Sequence, residues 1–110
     1  MKLCKGSLDK VIETESYKQF YMHRAGHWLG LDVHDAGDYK HQGKSVKLEA
    51  GMVLTVEPGL YIRPADNVPK HFWDIGVRIE DDVLVTKTGN KVLSASCPKS
   101  IKDIEALTAP

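Results

Sequence analysis

Three of the chain's five histidines, His23, His27 and His34, fall within twelve residues of one another. Imidazole is the commonest protein metal ligand and the usual side chain for proton transfer near neutral pH. The stretch reads His23-Arg-Ala-Gly-His27-Trp-Leu-Gly-Leu-Asp-Val-His34-Asp-Ala-Gly37. Surface decoration is the simple account of such a cluster. Against it stand Trp28, Leu29, Leu31 and Val33, which favour burial and would carry the histidines inward.

Two glutamates extend the set. Side chains alternate along a strand, so in Met52–Glu57 the residues Val53, Thr55 and Glu57 share one face, and Met52, Leu54 and Val56 share the other. In Ile75–Glu80 the same rule groups Ile75, Val77 and Ile79 as a core face, and sets Gly76, Arg78 and Glu80 opposite. A carboxylate inside an aliphatic strand is costly unless it is paired or coordinates a cation. Taken singly, Glu57 reads as a strand-end residue before the Pro58-Gly59 turn, and Glu80 as a salt-bridge partner for Arg78. Taken with the histidines, they point to a cation held by one imidazole and several carboxylate oxygens. That donor set suits Mn²⁺, and also Co²⁺, Fe²⁺ or catalytic Zn²⁺. His23 and His27 have the four-residue spacing of the helical HExxH zinc motif. Arg24 stands where that motif has glutamate and Gly26 weakens a helix, so the zinc-helix reading fails.

The elements that must position these residues follow from pattern. Ser7 caps a first helix running to about Glu15, with Leu8, Val11 and Ile12 at helical spacing. Lys18–Met22, carrying Phe20 and Tyr21, reads as a short strand. Gly26 and Gly30 interrupt regular structure and allow close backbone approach. Residues 36–51 are polar and read as an exposed loop. Met52–Glu57 is a strand by its β-branched content, and Leu60–Ile62 resumes extended chain. Residues 63–74 form a second surface loop. Ile75–Glu80 and Val83–Thr86 make the longest strand region, which Gly89-Asn90 turns into a hairpin with residues 91–93. Pro98 and Ser100 open a closing helix with Ile101, Ile104 and Leu107 on one face. Helix, short strands, long antiparallel strands and helix in that order give an α+β fold, not an alternating βαβ one.

The 110 residues suit one domain. Hydrophobic content of 42% and charged content of 27% are those of an ordinary globular protein. Fifteen basic residues balance fifteen acidic ones, which argues against a polycation built for nucleic acid or an anionic membrane. No apolar run approaches the roughly 20 residues that span a bilayer, and the N-terminus lacks the apolar stretch of a secretory signal. Cys4 and Cys97 have no CxxC partner. Two free thiols in a reducing cytoplasm are expected, a disulfide between them being the other reading. His41 and His71 lie in polar loops and read as surface residues.

Three stretches together carry a resemblance. The histidine segment, Leu48-Glu-Ala-Gly-Met-Val-Leu-Thr-Val-Glu-Pro-Gly-Leu-Tyr-Ile62 and Gly76-Val-Arg-Ile-Glu-Asp-Asp82 resemble, in order, the C-terminal motifs of the Xaa-Pro aminopeptidases (aminopeptidase P). These are pita-bread (creatinase/aminopeptidase) metallopeptidases related to prolidase and methionine aminopeptidase. The resemblance implies the C-terminal half of that fold, an antiparallel mixed sheet with two flanking helices. Position by position it implies that His27, Glu57 and Glu80 are metal ligands, Glu80 bridging two ions. Glu57 also takes a proton from the attacking water. His34 holds the peptide carbonyl, while His23 and Arg78 line the substrate pocket.

It further implies two divalent metal ions, best matched by Mn²⁺, and a peptide substrate with proline in second position. Five protein ligands are implied, two of them aspartates from an earlier half of the fold. Asp9, Asp32, Asp35 and Asp38 match neither of those positions. The expectation is therefore a C-terminal segment of a larger peptidase, inactive alone and prone to self-association through uncovered sheet surfaces. Its partner would be the N-terminal half of the same enzyme. Prolidase, a non-catalytic pita-bread module that binds peptides or proteins, and a mononuclear structural metal site are the alternatives.

Overall fold

In the computed structural model, which describes residues 1–109, a serine opens each helix. Ser7 Oγ accepts the Lys10 amide at 3.3 Å ahead of α1 (Leu8–Glu13), and Ser100 Oγ accepts the Asp103 amide at 3.1 Å ahead of α2 (Ile101–Thr108). Each hydroxyl satisfies one of the first-turn amides that has no partner within its helix. Asp9 and Asp103 add negative charge where the helix dipole favours it. Seven short strands lie between the helices: β1 (Lys40–His41), β2 (Lys44–Ser45), β3 (Val53–Val56), β4 (Gly59–Ile62), β5 (Ile75–Arg78), β6 (Asp81–Thr86) and β7 (Gly89–Val92). They form three antiparallel sheets, β1–β2, β3–β6–β7 with β6 central, and β4–β5. The α+β class with two helices stands, and the sheet is three small ones.

The chain divides into two compact units, Met1–Arg24 with Pro58–Arg78, and Ala25–Glu57 with Ile79–Pro110. In the first, Phe20, Ile62 and Val68 are buried, with Leu3, Leu60, Phe72 and Trp73 packed against them. Lys18–Met22 is not a strand. A 3₁₀ turn spans Ser16–Gln19, and Phe20 is apolar because it is a core residue whose carbonyl accepts the Tyr61 amide at 2.9 Å. β5 ends at Arg78, so Ile79 and Glu80 lie outside the strand expected over Ile75–Glu80, and the apolar face of β5 is also not core. Ile75 and Val77 pair with Ile62 and Leu60, yet only Ile62 is fully covered, and Val77 is 52% exposed. Cover is concentrated at the Ile62 end of the pair and thins along the strand.

In the second unit, β3 pairs with β6 from Val53↔Leu84 to Val56↔Asp81, and β6 pairs with β7 from Val83↔Val92 to Thr86↔Gly89. The hairpin turn therefore falls on Lys87-Thr88 and not on Gly89-Asn90, a register that sets Val83 against Val92. Residues 36–51 contain a hairpin, β1–β2, whose two turn residues Gln42 and Gly43 have φ of +50° and +78°. Positive φ at both positions matches the right-handed twist of paired strands. Ile101, Ile104 and Leu107 of α2 lie exposed. His41 and His71 are exposed, as expected. Cys4 and Cys97 are both free thiols. Among the described residues no helix is long and apolar enough to cross a membrane.

Asp81, at the start of β6, ties the segment after β7 to the sheet. Its Oδ1 accepts the Ser94 hydroxyl and the Lys99 ammonium, the latter at 2.9 Å, while Ser94 Oγ accepts the Asp82 amide at 3.0 Å. The Ser94 hydroxyl, then Lys99, stabilise the ionised carboxylate and hold it below its usual 3.8. A depressed folded-state value means that the contribution is whole above the unfolded value and is lost as pH falls through the folded one. Melting temperature should therefore drop more steeply with acid for the native chain than for Asp81→Asn, the two curves converging below the folded value. Parallel curves from neutral pH to acid would show that Asp81 carries no such linkage.

Candidate metal centre

The histidine segment is held by β3. Residues 25–29 run antiparallel to that strand: the Glu57 amide donates to Ala25 O at 2.8 Å, Thr55 to His27 O at 2.9 Å, and Leu29 to Val53 O at 3.1 Å. A bridge pairs Trp28 with Leu54. Gly26 is required for this approach, because a Cβ there would lie 2.0 Å from the Thr55 carbonyl oxygen. Gly30 similarly leaves no room for a Cβ beside the Asp35 carboxylate. Tyr39 stacks on the Trp28 indole, ring centroids 5.5 Å apart and nearly parallel, and its hydroxyl accepts the Trp28 amide at 3.1 Å.

Register then brings the glutamates together. One position beyond the last pair, Val56↔Asp81, stand Glu57 and Glu80. Like charges facing each other across a strand pair are destabilising. His27 completes the group: one donor atom from each of His27, Glu57 and Glu80 lies within 4.8 Å of the others. Glu57 is 7% exposed and forms the floor, His27 is half-buried and Glu80 is exposed.

The donors fit a cation. His27 Nδ1 lies 2.9 Å from the Trp28 carbonyl oxygen, to which it donates, so Nε2 keeps its lone pair. His27 Nε2 and Glu57 Oε1 are 3.5 Å apart. That is long for a charge-assisted hydrogen bond, about 2.7–2.9 Å. It is the span of two donors that each reach one ion at about 2.0–2.2 Å. His34 lies alongside, exposed, its ring edge-on to His27 with centroids 4.4 Å apart.

His23 and Arg78 belong to the first unit, where both meet Tyr61. Arg78 Nε donates to the Tyr61 hydroxyl oxygen at 2.8 Å, which leaves the hydroxyl proton for His23 Nε2, also 2.8 Å away. His23 Nδ1 then carries the proton it donates to Arg24 O at 2.7 Å. The imidazole is thus oriented at both nitrogens. Tyr61 was not singled out from sequence. Its signal is the register that sets it opposite Gly76, on the face of Arg78. Thr55 was placed on the face of Glu57 but given no role. It is 2% exposed, and its hydroxyl contacts both His27 and Glu57.

Comparison with known proteins gives the family and the fold. The sequence model of metallopeptidase family M24 matches residues 5–87. The chain is 57% identical over 105 residues to a Xaa-Pro aminopeptidase of Haemophilus influenzae and 53% identical over 105 residues to that of Escherichia coli, each alignment covering 96% of this chain and 24% of the relative. Its structure superposes on aminopeptidase PepP of Pseudomonas aeruginosa with a TM-score of 0.91 at 56% identity, covering 97% of this chain and 24% of that one. A zinc-substituted E. coli aminopeptidase P in complex with product gives 0.87 at 53% identity, with 96% and 24% covered. The chain therefore spans about a quarter of the length of these relatives, and its fold is the C-terminal part of theirs.

Gly26→Ala should destabilise the chain by about 1–3 kcal/mol, the usual cost of forcing a methyl group into a packed site, because the atom it meets is backbone. It should also weaken divalent-cation uptake by moving His27 away from Glu57. Denaturant unfolding with and without Mn²⁺ measures both, and unchanged stability would disprove the close approach.

Proposed function

Because this chain belongs to metallopeptidase family M24, we propose that it is the segment of a Xaa-Pro aminopeptidase supplying three of the metal ligands, His27, Glu57 and Glu80. The observation that carries this is the apposition of Glu57 and Glu80 beside an imidazole whose Nε2 is kept available. Apposed carboxylates repel until a cation lies between them. The donor set of one imidazole and carboxylate oxygens favours Mn²⁺, with Co²⁺, Fe²⁺ or Zn²⁺ as substitutes.

When bound, divalent ions act as Lewis acids and make hydroxide available near neutral pH. Glu57, on the floor of the site, takes the proton from the attacking water, and His34 hydrogen-bonds the carbonyl oxygen as it gains charge. His23 and Arg78 serve the substrate side, where Tyr61 fixes the orientation of both. The substrate is a peptide with proline in second position. The resemblance implies five ligands and this chain supplies three, so the 110 residues alone should take up an ion without turnover. Exposed apolar residues such as Val77, Ile101 and Leu107 support cover by the remainder of the enzyme or self-association. Two free thiols agree with a reducing, cytoplasmic setting.

Two experiments test this. Saturating Mn²⁺ should stabilise the native chain, by about 2.7 kcal/mol at a hundredfold excess over the dissociation constant. Glu80→Gln should be more stable than the native chain in chelator and respond less to Mn²⁺. No Mn²⁺ response in the native chain rejects the cation site. The second replaces the matching stretch of the H. influenzae relative with these 110 residues. The chimera should release the first residue of Xaa-Pro peptides, and Glu57→Gln should reduce that rate by about 10²–10⁴-fold. Hydrolysis confined to Xaa-Pro dipeptides favours prolidase. A folded, metal-loaded chimera without hydrolysis favours the binding module.

A further inference from the structure

We propose that Thr55 is the positioning residue that locks the His27 ligand to the Glu57 ligand. This rests on the reading that His27 and Glu57 share a divalent cation. In the hydrogen-bonded pairs of an antiparallel ladder, two facing residues exchange both N–H···O=C bonds. Thr55 and His27 make only one of the two: the Thr55 amide donates to His27 O at 2.9 Å. The return bond from the His27 amide goes to the Thr55 side chain, Oγ1, at 2.9 Å. The hydroxyl therefore takes over a rung that the main chain leaves open.

Having accepted from His27, Oγ1 gives its own proton to Glu57 Oε1 at 3.1 Å. Oε1 is also the atom that stands 3.5 Å from His27 Nε2. One buried hydroxyl thus fixes the main chain of one ligand and the facing oxygen of the other, at 2% exposure. A rigid partner behind each donor is what presets a metal site before an ion arrives. Valine has the shape of threonine and keeps every backbone bond of β3. It removes both contacts together: the bond from the His27 amide to Oγ1 and the bond from Oγ1 to Oε1. Serine keeps the hydroxyl.

The test loads the native chain, Thr55→Val and Thr55→Ser with Co²⁺, reading the visible spectrum of the bound ion and the dissociation constant corrected for the folded fraction. Thr55→Val should bind about 10–100-fold more weakly and show an altered band shape at saturation, and Thr55→Ser should match the native chain in both. A substitution that only lowered the folded fraction would leave the saturated spectrum unchanged. Native affinity and spectrum in folded Thr55→Val overturn the proposal while leaving the cation site intact. So does Thr55→Ser that folds yet loses the native spectrum, a result that decides the matter even if Thr55→Val does not fold. Absence of Co²⁺ uptake by the native chain rejects the cation reading itself, and this inference with it.

Discussion

The placement of His27 beside Glu57 depends on how closely the histidine segment lies against β3. At Gly26 the two backbones approach so tightly that a single methyl group would overlap a carbonyl. That contact sets the register of residues 25–29, and the register sets which imidazole faces which carboxylate. The β3–β6 ladder sets the second relation, by carrying Glu57 and Glu80 to facing positions. Neither relation is a long-range force. Both are steric and hydrogen-bond constraints on main chain, and the charged groups inherit their geometry from them.

A folded chain ordinarily avoids facing carboxylates, because their repulsion works against the pairing that brings them together. Here the four-residue β3–β6 ladder, with Thr55 of β3 buried, holds the pairing regardless. The proposed role of the site is to place a divalent ion between these two carboxylates, where it would offset their repulsion.

The alternation rule made much of this legible beforehand. It put Thr55 with Glu57 on a shared face, and the two serine caps marked both helices within a residue or two; it did not hold for Arg78 and Glu80, because β5 ends at Arg78 and Glu80 lies outside any strand. What it could not supply was pairing. Tyr61 faces Gly76 because β4 and β5 pair as they do, and nothing in either strand alone announces it. The same gap misplaced the β6–β7 turn. Phe20 and Tyr21 were read as strand because aromatic residues favour both strands and cores, and local pattern does not separate the two. Ile75 and Val77 looked like core because they alternate correctly, but alternation gives a face and not what covers it.

Trp28 is tied to its neighbours around the His27 ligand through its main chain and its ring alike. Its carbonyl receives the His27 ring proton, its amide is held by Tyr39, and its indole stacks on that ring. Among the described residues its indole N–H is buried with no partner, whereas that of Trp73, in the other unit, donates to Val68 O. The molecule thus carries two natural fluorophores, one coupled to the imidazole and one remote from it in sequence. With Trp73→Phe, the emission of the remaining indole would report changes at the His27 ring without any attached dye.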